Sequence, residues 1–555
     1  MERIWLKTYP EGVPAEVDVD AFRSIVDIFD QSIEKYPDKP AYIYLGATLS
    51  YAEVERLSRA FAAFLCGELK LPKGARVALM IPNVSQYPLA LFGALRAGYV
   101  VVNCNPLLTP PELERQLADS GAEAIVVLEN FASVLQQALP GTAIKHVVVA
   151  QLGDMLGWAS RTLVNFVVKY LKRLVPSWNI SNAVGFREAL RKGASLPWRP
   201  EPVGPEDIAF LQYTGGTTGV PKGAVLTHRN LVANLQQSHA YLNALLQDGC
   251  DIFITAIPLF HIYALTTSCL LVFKIGAANV LVTNPRDIPG LVKELAKHKF
   301  TCFAGVNTLF KALVEDPAFA RLDFSSLRIA VSGGSQLQEA VAKKWAAITG
   351  KTLMDAYGLT EAAPVVTCNP VTQREFNGSC GLPVPSTEVA IRDDHDTDLS
   401  VGEVGELCVR GPQVMKAYWN RPEETTKVMT SDGFLRTGDI ATIDECGFVR
   451  IIDRKKDMIN VSGFKVYPNE VEEVVRMHPG VLDVGAVGVP DALSGEAVKI
   501  VVVKRDPTLT AGDLKAFSRQ YLAAYKIPRV VEFSDELPKT ILGKVLRRAL
   551  HEASI

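Results

Sequence analysis

The sequence predicts an α/β protein: a large N-terminal domain of layered α/β subdomains over residues 1–454, and a small α+β C-terminal domain over residues 455–555. Three observations predict it. The chain has 555 residues, more than one hydrophobic core can organise. Apolar runs of strand length alternate with stretches of helical spacing through the N-terminal part, the pattern of α/β layers with a largely parallel sheet. Beyond residue 455 the tail carries its own short strands and two helices.

In order, residues 22–36 place Ile25, Ile28, Phe29, Ile33 and Tyr36 at helical spacing, and Pro37 ends the run. Residues 41–45 read as a strand. Ser50 and Glu53 form a capping box that opens a helix through Phe64. A buried strand at 76–80 and a helix at 87–97, closed by Gly98, follow. Thr109-Pro110-Pro111-Glu112 starts another helix, with Pro110 at its first position. Strands are expected at 124–128, 146–150, 208–211, 252–257, 278–282, 300–304 and 327–331, and a helix at 289–297. In the tail, helices are expected at 469–477 and 514–523, and strands at 484–489, 499–503 and 530–533. Asn469 with Glu472 three residues later reads as the cap of the first tail helix.

Charged residues make up 21% of the chain and the net charge is −2, so nothing points to a nucleic-acid partner. The nine cysteines include no C-x-x-C pair, which fits reduced thiols in a cytosol rather than a disulfide or zinc framework. The N-terminus lacks the apolar core of a signal peptide, and no apolar run is long enough to span a bilayer. Residues 155–178 stand apart. Arg161, Asn165, Lys169 and Lys172/Arg173 form a polar stripe at helical spacing, Leu163, Val164, Val167, Val168, Tyr170, Leu171, Leu174 and Val175 cover most of the rest, and Trp158 and Trp178 flank the segment. Two readings stand side by side: an amphipathic helix lying in a lipid interface, or a helix packed on the main domain with snorkelling lysines.

The chemistry centres on Tyr213-Thr214-Gly215-Gly216-Thr217-Thr218-Gly219-Val220-Pro221-Lys222-Gly223, directly after a buried strand. Glycines let backbone N–H groups turn toward an anion. Threonine hydroxyls donate to phosphate oxygens or ligate a metal, and Lys222 supplies positive charge. It is not a Walker A loop, because G-x-x-x-x-G-K-[ST] is absent and Gly223 follows the lysine. The stretch resembles the phosphate loop of the adenylate-forming superfamily, which holds acyl-CoA synthetases, luciferases and peptide-synthetase adenylation domains. The sequence after it, Ala224-Val225-Leu226-Thr227-His228-Arg229-Asn230, is similar to bacterial long-chain fatty acid–CoA ligases.

The resemblance covers nearly the whole chain and implies roles in chain order. It puts ATP phosphates on Thr214, Gly215, Gly216, Thr217, Thr218, Gly219 and Lys222. In Pro258-Leu259-Phe260-His261-Ile262-Tyr263-Ala264 it makes His261 the gate of the acyl site, with Gly305-Val306 lining the acyl cavity. Gly333 and Gly334, after a strand, allow close approach of a flat base. Asp355-Ala356-Tyr357-Gly358-Leu359-Thr360-Glu361 belongs to the nucleotide site: Tyr357 stacks on adenine, Thr360 contacts the α-phosphate, and Glu361 with Thr214 holds Mg²⁺, a hard cation that takes oxygen ligands. Asp439, ending Asp432-Gly433-Phe434-Leu435-Arg436-Thr437-Gly438-Asp439, accepts both ribose hydroxyls; Arg454 contacts ribose and phosphate; Lys456 is the hinge. Gly463, in Ser462-Gly463-Phe464-Lys465, leaves space for the pantetheine arm of coenzyme A, and Lys544 is the catalytic lysine on a C-terminal loop. Departures are small: Ser335 stands where alanine is common, and Asn460 occupies a variable position.

The implied activity is that of a fatty acid–CoA ligase with ATP and coenzyme A as co-substrates. Adenylation of a fatty acid releases pyrophosphate; the small domain, a mobile lid, then rotates and thioester formation releases AMP. The resemblance further implies a homodimer and a cytoplasmic enzyme that touches the inner face of the plasma membrane. The same residues leave open a ligase for medium-chain or aryl acids, an enzyme that loads a carrier protein, and a luciferase-type oxygenase. From another class, a non-catalytic fatty-acid binding protein at the membrane surface also stays open.

Overall fold

The computed structural model describes residues 2–214, 221–491, 493–540 and 543–552. Gly215, Gly216, Thr217, Thr218 and Gly219 lie outside the described residues.

The strand Arg76–Met80 explains how the large domain is layered. Its side chains alternate between two cores: Val77 and Leu79 join one, Ala78 and Met80 the other. A strand covered on both faces has no polar side, hence the unbroken apolar run in the sequence. Arg76–Met80 sits inside an eight-stranded sheet, parallel from Ile208–Thr214 through Val100–Asn103, Arg76–Met80, Ala124–Leu128 and His146–Ala150. A nine-stranded sheet forms the second layer, with Ile329–Ser332, Cys302–Gly305, Ile252–Thr255 and Ala278–Leu281 parallel at its centre.

The main core fills the space between these sheets. Helices Ile25–Lys35, Tyr51–Ala63, Gln86–Arg96 and His228–Leu242 contribute to it. Capping explains where the first two begin: Asp27 N donates to Ser24 Oγ at 3.2 Å, and Ser50 and Glu53 close the expected capping box. At the centre Phe273 stacks on Phe29 at 4.9 Å and meets Phe92 at 4.7 Å and Tyr51 at 4.5 Å. Helices Ile288–Leu295, Asn307–Glu315 and Glu339–Thr349 cover the outer face of the nine-stranded sheet, and Pro110–Ser120 with Ala132–Ala138 that of the other.

A four-stranded antiparallel sheet follows, in the order Glu388–Arg392, Gly405–Arg410, Leu435–Ile443, Val449–Arg454. The smaller C-terminal domain has its own sheet and its own core, in which Pro468–Arg476 and Ala511–Ser518 pack on Val481–Asp491 and Gly495–Lys504.

Two expectations change. The first tail helix begins at Pro468 after Tyr467, with no side-chain cap. Asn469 therefore lies inside the first turn, and its amide donates to Ile452 O at 2.9 Å, while Glu472 Oε1 accepts from Ala486 N at 2.9 Å; long-range partners outbid the local cap. Residues 155–178 form a shorter helix, Trp158–Phe166, continued by a wider turn, Val167–Leu171.

Replacing Phe273 with Ala should cost about 3–5 kcal/mol, because the ring is fully enclosed by other aromatics. Urea unfolding followed by tryptophan fluorescence measures this; a loss below about 1 kcal/mol would contradict the central place given to the ring.

Candidate active site

The antiparallel pairing of Ile208–Thr214 with Lys222–Thr227 sets Thr214 opposite Lys222. The hairpin therefore delivers a hydroxyl and an ammonium to the two ends of one loop. Asp119, in the last turn of Pro110–Ser120, braces it: Tyr213 Oη donates to Asp119 Oδ2 at 2.7 Å, and Arg421 Nη2 to Oδ1 at 2.7 Å. Alongside runs Ala417–Tyr418, antiparallel to Lys222–Thr227, with Trp419 N donating to Gly223 O at 2.7 Å.

That neighbouring strand carries Tyr418, whose Oη donates to Glu361 Oε1 at 2.6 Å. Lys222 Nζ lies 5.3 Å from the Tyr418 ring centroid and pairs with Glu424. Lys222 and then Lys427 hold the Glu424 carboxyl well below the usual range. Thr360 and Glu361 sit on the short turn Thr360–Ala362, beside the phosphate hairpin. Glu361 and Thr214 offer oxygen donors only, and no cluster of three His, Cys, Asp or Glu side chains placed to hold a metal occurs among the described residues. Such a donor set suits Mg²⁺, which takes one or two protein oxygens and completes its shell with phosphate and water.

A second cluster forms on the adjoining strands. Asp439 and Arg454 face each other across Leu435–Ile443 and Val449–Arg454, with Arg454 Nε 3.0 Å from Asp439 Oδ1. Tyr357 Oη donates to Asp439 Oδ2 at 2.6 Å. Asp439 first, with Tyr357 and Glu361 adding, favours the Arg454 cation. Lys544 reaches this cluster from the C-terminal domain. Much protein lies around its side chain, yet the residue keeps exposed surface. Desolvation and then the positive Arg454 lower its pKa, while Asp439 opposes them. Its loop closes against the large domain so tightly that a Cβ on Gly543 would lie 2.3 Å from Thr308 Oγ1.

An apolar cavity of about 60 Å³ opens between His228–Leu242 and the nine-stranded sheet, lined by Tyr241, Leu242, Phe253, Tyr263, Leu271 and Ala356 among others. Ala356 and Tyr357 are consecutive on Met354–Gly358, so one strand serves both the cavity and the polar cluster. Gly305 and Val306 do not line the cavity. Val306 packs in the opposite core and a Cβ on Gly305 would meet the Phe310 ring at 2.6 Å; Cys302, Phe303 and Ala304 are the residues of that strand at the cavity wall. His261 precedes the cavity residue Tyr263, and its Nδ1 accepts from Tyr263 N at 3.2 Å; burial pushes it down to about 4, leaving it neutral. Burial raises Asp355 to about 8, against backbone N–H groups of Leu337 and Ala356 that pull it back.

The two glycines after Ile329–Ser332 answer first to the fold: a Cβ on Gly333 would sit 3.1 Å from the Tyr263 ring, and Gly334 has φ +76°. At Gly358 a Cβ would sit 2.2 Å from Pro364 O. Lys456 stands half-exposed at the join of the domains, 3.9 Å from Asp457. Gly463 stands apart from these groups: it turns a hairpin of the small domain at φ +88°, with nothing within 4 Å of a Cβ, and Asn460 Oδ1 accepts its N–H at 2.9 Å. Tyr418, Glu424, Asp119 and Arg547 escaped the sequence reading. For Tyr418 and Glu424 the signal is Tyr418-Trp419-Asn420-Arg421-Pro422-Glu423-Glu424, an aromatic pair before a proline-started helix; Asp119 and Arg547 had none.

The family described as AMP-binding enzyme matches residues 29–419, and the AMP-binding enzyme C-terminal domain matches residues 470–544. The chain belongs to the AMP-binding enzyme family. It is 56% identical to the long-chain-fatty-acid–CoA ligase of Escherichia coli O157:H7 over 100% of this chain and 98% of that protein. The protein of the same name from Bacillus subtilis (strain 168) is 37% identical over 99% of this chain and 98% of its own length. The anthranilate CoA ligase AuaEII in complex with anthranoyl-AMP matches with a TM-score of 0.83 at 25% identity, covering 96% of this chain and 97% of its own. ATP-bound MatB from Rhodopseudomonas palustris matches at 0.80 and 27% identity, covering 95% and 98%.

Proposed function

We propose that this chain is a long-chain fatty acid–CoA ligase that makes an acyl-adenylate from a fatty acid and ATP, then transfers the acyl group to coenzyme A. The observation that carries the reading is the strand Met354–Gly358, where Ala356 borders an apolar cavity and Tyr357 a cluster of charged groups. A carboxylate whose tail lies in that cavity emerges beside the polar cleft. Full-length identity to ligases of that name supports the substrate class. The cavity measures only about 60 Å³, so a long chain must push its lining apart.

The chemical obstacle is repulsion between a carboxylate and a triphosphate. Lys222 offsets it by leaving Glu424 for the phosphates, with Thr214 and Thr360 donating to phosphate oxygens. Glu361 and Thr214 would hold Mg²⁺, which would supply further positive charge beside the phosphates. Asp439 exchanges Tyr357 for the ribose hydroxyls, Tyr357 stacks on adenine and Arg454 contacts ribose and phosphate. Gly333, Gly334, Asp355 and Gly358 shape the base pocket, and His261 gates the acyl cavity. Lys544 sits on the attacking side: a carboxylate oxygen bonds to the α-phosphorus as the bond to pyrophosphate breaks. The acyl-adenylate is a mixed anhydride. The small domain, residues 455–555, then rotates about Lys456, withdraws Lys544 and brings the Gly463 hairpin to the cleft. The thiolate of coenzyme A attacks the acyl carbon and AMP leaves.

Pyrophosphate release across fatty acids of increasing length and an aryl acid, with and without coenzyme A, tests the reading. Turnover that rises with chain length and yields acyl-CoA is expected, and Lys544→Ala should abolish adenylation while sparing thioester formation from supplied acyl-adenylate. Pyrophosphate without acyl-CoA would point to carrier loading; none at all would leave a binding protein. Equal loss of both half-reactions in Lys544→Ala would sink the two-state lid.

Because desolvation and Arg454 depress the Lys544 pKa, its ammonium is lost at lower pH than a free lysine's. Adenylation kcat/KM, which reports the free enzyme, should therefore fall along an alkaline limb below the ordinary lysine range. Bound anions restore the proton, so the limb in kcat should sit higher. A pH profile of pyrophosphate exchange checks both, and the same limb in Lys544→Ala would assign it elsewhere.

The helix Trp158–Phe166 supports contact with lipid, because it is built inside out. Its polar stripe faces the protein: Lys169 Nζ donates to the buried Glu129 at 2.6 Å, Asn165 Nδ2 to Gln151 Oε1 at 3.0 Å, and Gly153 N to Asn165 Oδ1 at 2.8 Å. The apolar residues face outward, with Trp158 76% and Leu171 68% exposed beside Leu163, Phe166, Tyr170 and Leu174. Lys172 and Arg173 are exposed at the same end. A tryptophan-bearing apolar face flanked by cations suits an anionic lipid interface. No helix among the described residues is long and apolar enough to cross a membrane, so the proposed contact is peripheral, from the cytoplasm onto the inner face of the plasma membrane. Lys172→Gln with Arg173→Gln should weaken binding to phosphatidylglycerol vesicles by about 2 kcal/mol, roughly 30-fold. Unchanged binding would remove lipid as the occupant. A doubled mass in light scattering, abolished by Trp158→Ser, would instead make this face the seat of a homodimer.

A further inference from the structure

Asp453 and Arg454 are consecutive in Val449–Arg454 and leave the strand on opposite faces. Arg454 turns to Asp439 in the cleft. Asp453, 1% exposed, turns to the C-terminal domain, where its Oδ1 accepts from Arg547 Nη1 at 2.8 Å and its Oδ2 from Asn469 N at 2.7 Å. Arg547 spends its other donors on Asp457 at 3.2 Å, Glu472 at 2.9 Å and the Asn469 side chain. Glu472 and Asn469 belong to the same small domain as Arg547; Asp453 lies in the four-stranded sheet of the large one.

Arg547 follows Lys544 by three residues, and the segment between them is closed on itself. Thr540 N donates to Lys544 O at 2.7 Å, Lys544 N to Thr540 Oγ1 at 3.1 Å, and Leu546 N to Pro538 O at 2.8 Å. Val545 packs against the cluster of Val487, Val501, Leu537 and Leu550. A segment tied in this way carries the position of Arg547 through to Lys544. One strand thus offers Arg454 to the cleft that Lys544 enters, and Asp453 to the arginine that fixes where the Lys544 loop stands.

We propose that Arg547 is a positioning residue for adenylation: its bond to Asp453 latches the Lys544 loop onto the large domain in the adenylating arrangement. The proposal rests on the two-state lid described above. Rotation about Lys456 breaks the bonds of Arg547 and Asn469 to Asp453, and of Asn469 to Ile452 O, but leaves those of Arg547 to Glu472 and Asn469 intact. The latch therefore belongs to one arrangement only, and Arg547 stays neutralised after release.

Asp453→Asn keeps the shape and removes the charge. It should lower the rate of acyl-adenylate formation about tenfold or more, since a charge-assisted bond is lost, and leave thioester formation from supplied acyl-adenylate within about twofold. Arg547→Lys keeps the charge but loses the two-sided guanidinium fork, so it should show the same selective loss in smaller degree. A cross-link between Gln336→Cys and Glu473→Cys, whose native side chains bond at 2.8 Å across the domains, reads the arrangement directly and should form more slowly with Asp453→Asn. Equal loss in both half-reactions, or no loss in adenylation, would overturn the latch, as would unchanged cross-linking. Should Asp453→Asn not fold, the half-reaction split in Arg547→Lys decides alone. Lys544→Ala separates the two ideas. If it fails to split the half-reactions, the lid itself is wrong; if it splits them and the latch variants do not, only the latch falls.

Discussion

Successive residues of a β-strand point to opposite sides, and here that alternation builds the cores and also divides the chemistry. In Arg76–Met80 it feeds two hydrophobic cores from one run of side chains. In Met354–Gly358 it sets Ala356 against an apolar cavity and Tyr357 against Asp439. In Val449–Arg454 it sends Arg454 to the cleft and Asp453 to the small domain. A slip of one residue in either of the last two strands would exchange these faces. Met354–Gly358 resists it with a parallel partner on one side and an antiparallel one on the other, Ser332 standing opposite Asp355; Val449–Arg454, at the edge of its sheet, is held by one antiparallel partner, with Asp439 opposite Arg454.

Several charged groups of the cleft already have partners within the protein. Lys222 holds Glu424, Arg454 holds Asp439, and Glu361 accepts from Tyr418. A polyanion entering the cleft must exchange these bonds for its own, so its affinity is a difference between two sets of charge-assisted contacts. The exchange is also a filter. On the roles proposed above, a ligand without phosphates would leave Lys222 on Glu424, and one without vicinal hydroxyls would leave Asp439 on Tyr357. Bracing by Asp119 keeps the phosphate hairpin in place whichever partner Lys222 holds, because Asp119 binds Tyr213 and Arg421 rather than the lysine.

Much of this was legible in the sequence where the cause is local. The strands at 76–80, 124–128 and 146–150 coincide with Arg76–Met80, Ala124–Leu128 and His146–Ala150, since a doubly buried strand leaves an unbroken apolar run. The Ser50 box and the Pro110 start were readable because capping is decided within four residues. The cap assigned to Asn469 failed because Arg547 and Ile452, distant in sequence, compete for its side chain. Tyr357, Asp439, Arg454 and Lys544 could be picked out by motif, and they do converge. Asp119 and Arg547 could not, because the partners each one holds lie 75 or more residues away and leave no pattern in the chain. The segment 155–178 shows a third limit. Its stripes were readable, but which stripe faces the protein depends on Glu129 and Gln151, buried polar groups that only the fold brings beneath it.

The contact between the domains has the composition a movable joint needs. No hydrophobic cluster among the described residues draws side chains from both domains; the small domain keeps its apolar groups in its own two. Across the boundary stand polar pairs instead: Gln336 with Glu473 at 2.8 Å, Lys455 with Asp394 at 2.7 Å and Glu406 at 2.9 Å, and Arg547 with Asp453 at 2.8 Å. Exposed polar pairs exchange for water at little net cost, whereas parting an apolar seam exposes surface that water does not repay. Asp453 is the most buried of these partners, 1% exposed against 7% for Glu406, and its release leaves a carboxylate to be rehydrated. In the proposed rotation, that costly bond among cheaper ones gives the joint a preferred position without locking it.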